Sequence, residues 1–277
     1  MPLSPYLCTN CGFWQRRPAP PTSCPACEDP RHPLPADGYR FVTPEEIGPR
    51  VRVTHREVGP DVIAFSVTPQ VGIGAMGHLI LHTEGNLFFE GCAWLDEAAL
   101  SLIESLGGVR YLALSHMHVY GAVWRLEERF SPEIIVQTQD LRWTKAFRVT
   151  WPFDASVEPV PGLELIHTGG HTEGHTILHD KRHRALHVGD MVKYRLDGQG
   201  RLDGVACQKA YDMRIPLSHG EMRRYREILG PLDVGHVYTP WEDVPEGGLA
   251  AALGLIDHQL ALRQPTADFL PPTGAPA

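Results

Sequence analysis

Two C-x-x-C pairs near the N-terminus constrain this chain more tightly than any other feature: Cys8-Thr-Asn-Cys11-Gly and Cys24-Pro-Ala-Cys27. The residues around them, 1–38, are rich in Pro, Cys and Arg and show little periodic apolar pattern. Such a segment cannot bury enough surface to fold without a staple. Each pair can set two thiolates on one side of a tight turn, with Gly12 and Pro25 as turn residues. Two pairs then close a tetrahedral shell of four sulfurs, which suits zinc and also admits iron. A shell closed by Cys8, Cys11, Cys24 and Cys27 leaves no position for substrate, so its expected role is structural. Cys92 and Cys207 stand apart and read as small buried hydrophobes.

The 277 residues are 43% apolar and 21% charged, the composition of an ordinary globular chain. That length admits one large domain with a small appendage. No window approaches the roughly 20 apolar residues of a membrane-spanning helix. The opening MPLSPYLCTNCGF lacks a basic segment followed by an apolar one, so no secretory signal is expected. Metal-type cysteine pairs without such a signal suggest the cytoplasm. A net charge of -8 argues against a nucleic-acid partner. A small-molecule substrate is expected instead, with no membrane partner.

The expected organisation is a knuckle over 1–38, a body over 50–265 and a flexible tail over 266–277, with His32-Pro33-Leu34-Pro35 as a link. In the body, strand-like runs at Val62–Val67, His78–His82 and Asn86–Glu90 come first. Asp96 then caps a helix ended by Gly107-Gly108. The apolar run Arg110–Leu114 predicts a buried strand, followed by a helix over Ala122–Phe130 and a strand at Ile134–Val136. Strands follow at Leu163–His167, Ile177–His179 and Ala185–Val188, the last two as a hairpin. Ser218 and Glu221 form a capping box for a helix to about Leu229. Strand Val234–Tyr238 and a helix near Leu249–Leu262 close the pattern. Strands first and alternating units later predict a mixed α/β protein.

Three strand ends carry the candidate ligands of a second site. His116-Met117-His118 follows a buried strand, and residues two apart in an extended loop point the same way. Gly169-Gly170-His171-Thr172-Glu173-Gly174-His175 also follows a strand, and so does Val188-Gly189-Asp190. Together these motifs, in this order and spacing, make residues 50–265 resemble the metallo-β-lactamase fold superfamily of hydrolases. The resemblance implies an αββα sandwich that activates water with metal. It implies His116, His118 and His171 as ligands of a first metal, and Asp190 as the acidic ligand.

The chain departs from the family pattern on one side. Tyr120 stands where the family's aspartate belongs, Gly121 where its fourth histidine belongs, and the late histidine turn is replaced by Pro240-Trp241-Glu242. These three positions serve the second metal, so one ion in the body is the economical reading. His236 reads as a strand histidine, with a displaced ligand as the alternative. A branch of the superfamily is more similar still. It pairs a zinc-ribbon or rubredoxin-like four-cysteine knuckle, with a C-P-x-C-E-D segment, with H-x-H-x-Y and a late Trp. Cys24–Asp29, Tyr120 and Trp241 carry that likeness.

The expected cofactors are therefore two zinc ions, with iron possible in either site. Asp190 is the candidate that orients the attacking water. Tyr120 is the candidate proton donor, with packing as the alternative. His175 is read as a hydrogen-bonding or proton-shuttling neighbour. The expected activity is single-ion hydrolysis of an ester, lactone, thioester or phosphoester. The alternatives are a non-hydrolytic redox protein with iron and an interaction module that has lost catalysis.

Overall fold

The computed structural model describes residues 2–29, 36–244 and 246–272. The link His32-Pro33-Leu34-Pro35 and residues 273–277 of the expected tail lie outside them. The chain forms two compact units, Met1–Asp154 and Ala155–Ala277.

In the first unit, β1 (Ser4–Cys8) pairs antiparallel with β2 (Trp14–Arg17) and β3 (Phe41–Val42). The short helix α1 (Pro44–Ile47) follows, opened by a capping box between Thr43 and Glu46. A seven-stranded sheet takes the order β10-β9-β8-β7-β6-β5-β4. Its members are β4 (Arg52–Gly59), β5 (Val62–Thr68), β6 (Gly77–Ile80), β7 (Leu87–Phe89), β8 (Tyr111–Ala113), β9 (Glu133–Gln137) and β10 (Trp151–Phe153). Pairing is antiparallel from β4 to β7 and parallel from β7 to β10. The central strands β7 and β8 are short, apolar and buried throughout, as strands covered on both faces are. Between them run α2 (Glu97–Ser105) and α3 (Val123–Phe130). Asp96 caps α2 through Ala99 N, and its second oxygen takes Val53 N, tying the helix to β4.

The described residues of the knuckle lie within this unit and pack on it. Leu7 pairs with Val42, and Trp14 meets Trp94 and Trp124 at ring-centroid distances of 5.8 and 5.4 Å. A few apolar residues of the knuckle are thus completed by the body, which is how so small a segment finds cover.

The second unit holds a six-stranded sheet in the order β11-β12-β13-β14-β19-β20. These are β11 (Ser156–Val160), β12 (Leu163–His167), β13 (Thr176–Asp180), β14 (Ala185–His187), β19 (His236–Tyr238) and β20 (Asp243–Val244). Two small ribbons, β15 (Lys193–Leu196) with β16 (Leu202–Ala206) and β17 (Gln208–Ala210) with β18 (Ile215–Pro216), carry no strong sequence signal. The expected hairpin β13–β14 is present. The capping box of Ser218 and Glu221 opens α4 (His219–Leu229), and α5 (Gly248–Ala261) packs on it. Within the segment expected as a tail over 266–277, residues Thr266–Leu270 make specific contacts. Leu270 exchanges backbone hydrogen bonds with Val205 at 2.9 and 3.0 Å, and the Ala267 carbonyl accepts from Gln208. Apolar Phe269 and Leu270 give this end something to bury. No helix among the described residues is long and apolar enough to cross a membrane.

Candidate functional site

The four cysteine sulfurs lie within 4.8 Å of one another, and none is in a disulfide. Cys8 and Cys27 are 3.8 Å apart and Cys11 and Cys24 are 3.7 Å apart. A tetrahedron with metal–sulfur bonds of about 2.3 Å has edges of about 3.8 Å, so the cluster fits a four-coordinate ion. Neighbouring sulfurs pull the Cys8 and Cys27 thiols below their usual range and push Cys11 and Cys24 above theirs. Four sulfurs sharing one spot cannot all ionise without a cation, and a dication at the centre removes the conflict. Asn10 Nδ2 donates to Cys27 Sγ at 3.3 Å, a hydrogen bond of the kind that steadies a thiolate.

His116 and His118 leave β8 in the first unit, with ring centroids 5.1 Å apart. The loop is not extended as expected: His116 is, but Met117–Val119 form one turn of 3-10 helix. That tight turn frees the Val119 carbonyl to accept from Gly91 N at 2.7 Å. Ser115 Oγ donates to Glu90 Oε1 at 2.5 Å, and its own lone pair takes the Nδ1–H of His116 at 2.9 Å. Nε2 of His116 is then the nitrogen with the lone pair, as a metal ligand requires. Glu90 is buried at φ +64, held there by its N–H on the Ala113 carbonyl. The motif pattern missed Glu90 and Ser115, although a carboxylate ending the buried run Asn86–Glu90 was a visible signal.

At position 121 a side chain has no room. Gly121 has φ +49, and a Cβ there would meet Cys92 O at 2.2 Å and Gly91 O at 2.6 Å. The mutual approach is reinforced by Ala122 N on Cys92 O at 2.8 Å. Tyr120 is fully buried, with its ring 6.5 Å from Phe13 and 5.3 Å from Phe147. Burial pushes its phenol well above the usual range, with Asp140 adding to the effect. The expected proton donor is thus a core residue with the contacts of its packing alternative. Trp94 and Trp124 likewise belong to the core beside Trp14, and Cys92 and Cys207 are buried as expected.

In the second unit the glycine-rich loop after β12 sets out His171. Its Nδ1 lies 3.2 Å from the Gln208 carbonyl, which accepts only from an N–H, so the lone pair again sits on Nε2. That Nε2 is 3.6 Å from Asp190 Oδ2. Two ligands of one ion, each at about 2.1 Å, stand about 3.4 Å apart, so this spacing fits a shared metal. Burial pushes the Asp190 carboxyl up to about 7 against the opposing pull of Lys193. Tyr225 on α4 accepts His171 N–H at 3.0 Å and donates to Gly169 O at 2.9 Å. Gly170 makes this possible, since a Cβ there would lie 2.2 Å from that hydroxyl. Gln208 and Tyr225 are invisible to motif reading because they come from elements far along the chain.

His175 lies 5.9 Å from the His171 ring and is fully buried. Its Nδ1–H donates to Thr168 Oγ1 at 2.8 Å, and that hydroxyl donates to the His175 carbonyl. Burial pushes its imidazole down to about 3, so it stays neutral and ties the loop ends together. His236 is a strand residue paired with Ala185, its ring centroid 4.3 Å from that of Tyr238 in a tilted contact.

The strand-end histidines, the acidic turn and the glycine-rich loop recur in one known family. The profile of the metallo-beta-lactamase superfamily matches residues 103–244, and the chain belongs to that superfamily, whose members are mostly metal-dependent hydrolases. A curated relative, the uncharacterized protein YmaE of Bacillus subtilis (strain 168), is 26% identical over 248 residues, which cover 86% of this chain and 89% of that protein. The DIM-1 metallo-beta-lactamase is similar in structure, with a TM-score of 0.58 and 13% identity over 75% of this chain and 98% of that one. The FIM-1 enzyme from Pseudomonas aeruginosa, solved in a mono-zinc form, gives a TM-score of 0.54 and 11% identity over 76% and 97%. These likenesses establish the metallo-β-lactamase fold expected from the motifs, preceded here by the four-cysteine knuckle.

Proposed function

We propose that this chain is a hydrolase working with one zinc ion, held by His116, His118 and His171. Asp190 stands beside that ion, and the four cysteines hold a second, structural zinc. The substrate class is a small ester, lactone, thioester or phosphoester, and no nucleic acid or membrane takes part.

The backbone crossing at Gly121 carries the single-ion reading. The position that resembles the second-metal histidine has no space for a side chain, and its neighbour Tyr120 is sunk between Phe13 and Phe147. The mono-zinc form of FIM-1 is a precedent for one ion on this fold. Zinc in such a site supplies an acidified water and polarises a carbonyl or phosphoryl oxygen.

The protein's own part is positioning and proton transfer. The Glu90–Ser115 pair holds the ring of His116, and the Gln208 carbonyl holds that of His171. Asp190 receives a proton at its carboxylate during attack and returns it to the leaving group. A cation bound beside Asp190 would offset the burial that raises its carboxyl and so favour its carboxylate form as a base.

Elemental analysis of the full chain should count two zinc ions, and one after His116→Ala. A panel of chromogenic esters and phosphodiesters should be turned over about a hundredfold faster by the native chain than by that variant. Equal turnover would overturn hydrolysis at this site, and a third ion would overturn the mononuclear reading.

A further inference from the structure

Within the first unit the knuckle meets the same short segment that anchors the H-x-H loop. Gly72 lies so close to the knuckle that a Cβ on it would stand 2.4 Å from Gly12 N and 2.5 Å from the Cys11 carbonyl carbon. Trp14 Nε1 donates to the Ala93 carbonyl at 2.9 Å. Phe13, between them, stacks on Tyr120 with ring planes 29° apart.

The other face of segment 91–94 holds the loop. Gly91 N donates to Val119 O and Ala122 N donates to Cys92 O, while Gly121 crosses the Gly91–Cys92 backbone in van der Waals contact. The knuckle therefore reaches loop 116–122 by two routes, through segment 91–94 by way of Trp14 and directly by Phe13 on Tyr120. The knuckle is the part built around the four-cysteine cluster. Its few apolar residues do not make a core by themselves, and its four sulfurs converge without a disulfide. Metal binding and folding are one process in such a segment.

We propose that the four-cysteine cluster is a positioning device for the metal-binding loop. Loading the cluster seats Trp14 on residues 91–94 and Phe13 on Tyr120, and together these order His116–Ala122. Phe13 acts through Tyr120, so it is a positioning residue. The cluster then fills first, and its loading raises the affinity of the histidine site. That last clause rests on the single-ion reading above; the ordering of the loop does not.

The test uses the full chain with zinc as the probe, in native form, as Cys24→Ser/Cys27→Ser and as Phe13→Leu. Hydrogen exchange is followed in residues 91–94 and 116–122, with Thr176–Asp180 of the second unit as control. The paired serine variant should exchange at least about tenfold faster in both segments, with the control strand unchanged. Its remaining zinc, read by competition with a chromophoric chelator, should bind at least about tenfold more weakly, the scale on which supporting residues tune metal sites. Phe13→Leu should keep the knuckle zinc and show both effects in reduced form. Changes confined to residues 2–29, with 116–122 as protected as before, would overturn the proposal. If the serine variant loses its whole fold, Phe13→Leu decides by the same two readouts. A native chain that binds zinc at the cysteines only would sink the single-ion reading, and the exchange comparison would still decide this one.

Discussion

His78 stands on β6 with no exposure, and burial, helped by the nearby charge of Arg56, pushes its imidazole down to about 3. An unfolded chain takes up that proton near its usual value of about 6.5. Between those limits the unfolded state binds more protons than the folded one, so stability falls as pH drops from about 6.5 toward 3. Urea unfolding should therefore show a shallower loss of stability below about pH 6.5 in His78→Phe than in the native protein. Identical slopes would mean that other groups govern the acid limb. Asp190 shows the same physics with opposite sign: burial raises a carboxyl where it lowers an imidazole. The residue types were legible in the sequence, but the shifts were not, because they depend on neighbours distant along the chain.

At the scale of elements, strand ends place the candidate ligands, and for His116 and His171 other parts of the chain set the ring or backbone. The loop Gly169–His175 leaves β12, but the hydroxyl of Tyr225 on α4 holds its backbone at Gly169 and His171. Tyr225→Phe removes both hydrogen bonds and keeps the ring. Zinc affinity at the histidine site should fall about tenfold to a hundredfold, and folding stability by about 1 to 2 kcal/mol. A competition titration and a denaturant melt check the two numbers, and unchanged affinity would show that the loop holds its shape without α4. Helix caps at Asp96 and Ser218 were readable in advance because they are local. The 3-10 turn at Met117–Val119 was not, since it is set by Gly91 on the neighbouring strand connection.

Across the whole molecule, the knuckle looked separable by composition, yet in the first unit it completes a core. Trp14 closes a group of three tryptophans with Trp94 and Trp124 and hydrogen-bonds Ala93. Deleting a buried tryptophan costs about 3 to 5 kcal/mol, and a domain of this size loses about 2 to 4 °C per kcal/mol. A chain beginning at residue 39 should thus melt on the order of ten degrees lower, with red-shifted emission from Trp94 and Trp124. An unchanged melting point and emission would mark the knuckle as a true appendage.

The sequence by itself determined the donor sets, the order of the three strand-end motifs and the superfamily, because cysteine spacing, strand-end histidines and caps are local chemistry. It also marked Tyr120 and Gly121 as departures. Only the tertiary structure decided what occupies those positions: one is a packed core ring, and the other is a backbone crossing with no volume for a side chain. It likewise decided which nitrogen His116 and His171 present, since Glu90, Ser115 and Gln208 reach those rings through folding and not through spacing. Ligand identity is written residue by residue, whereas ligand geometry is a property of what packs behind it.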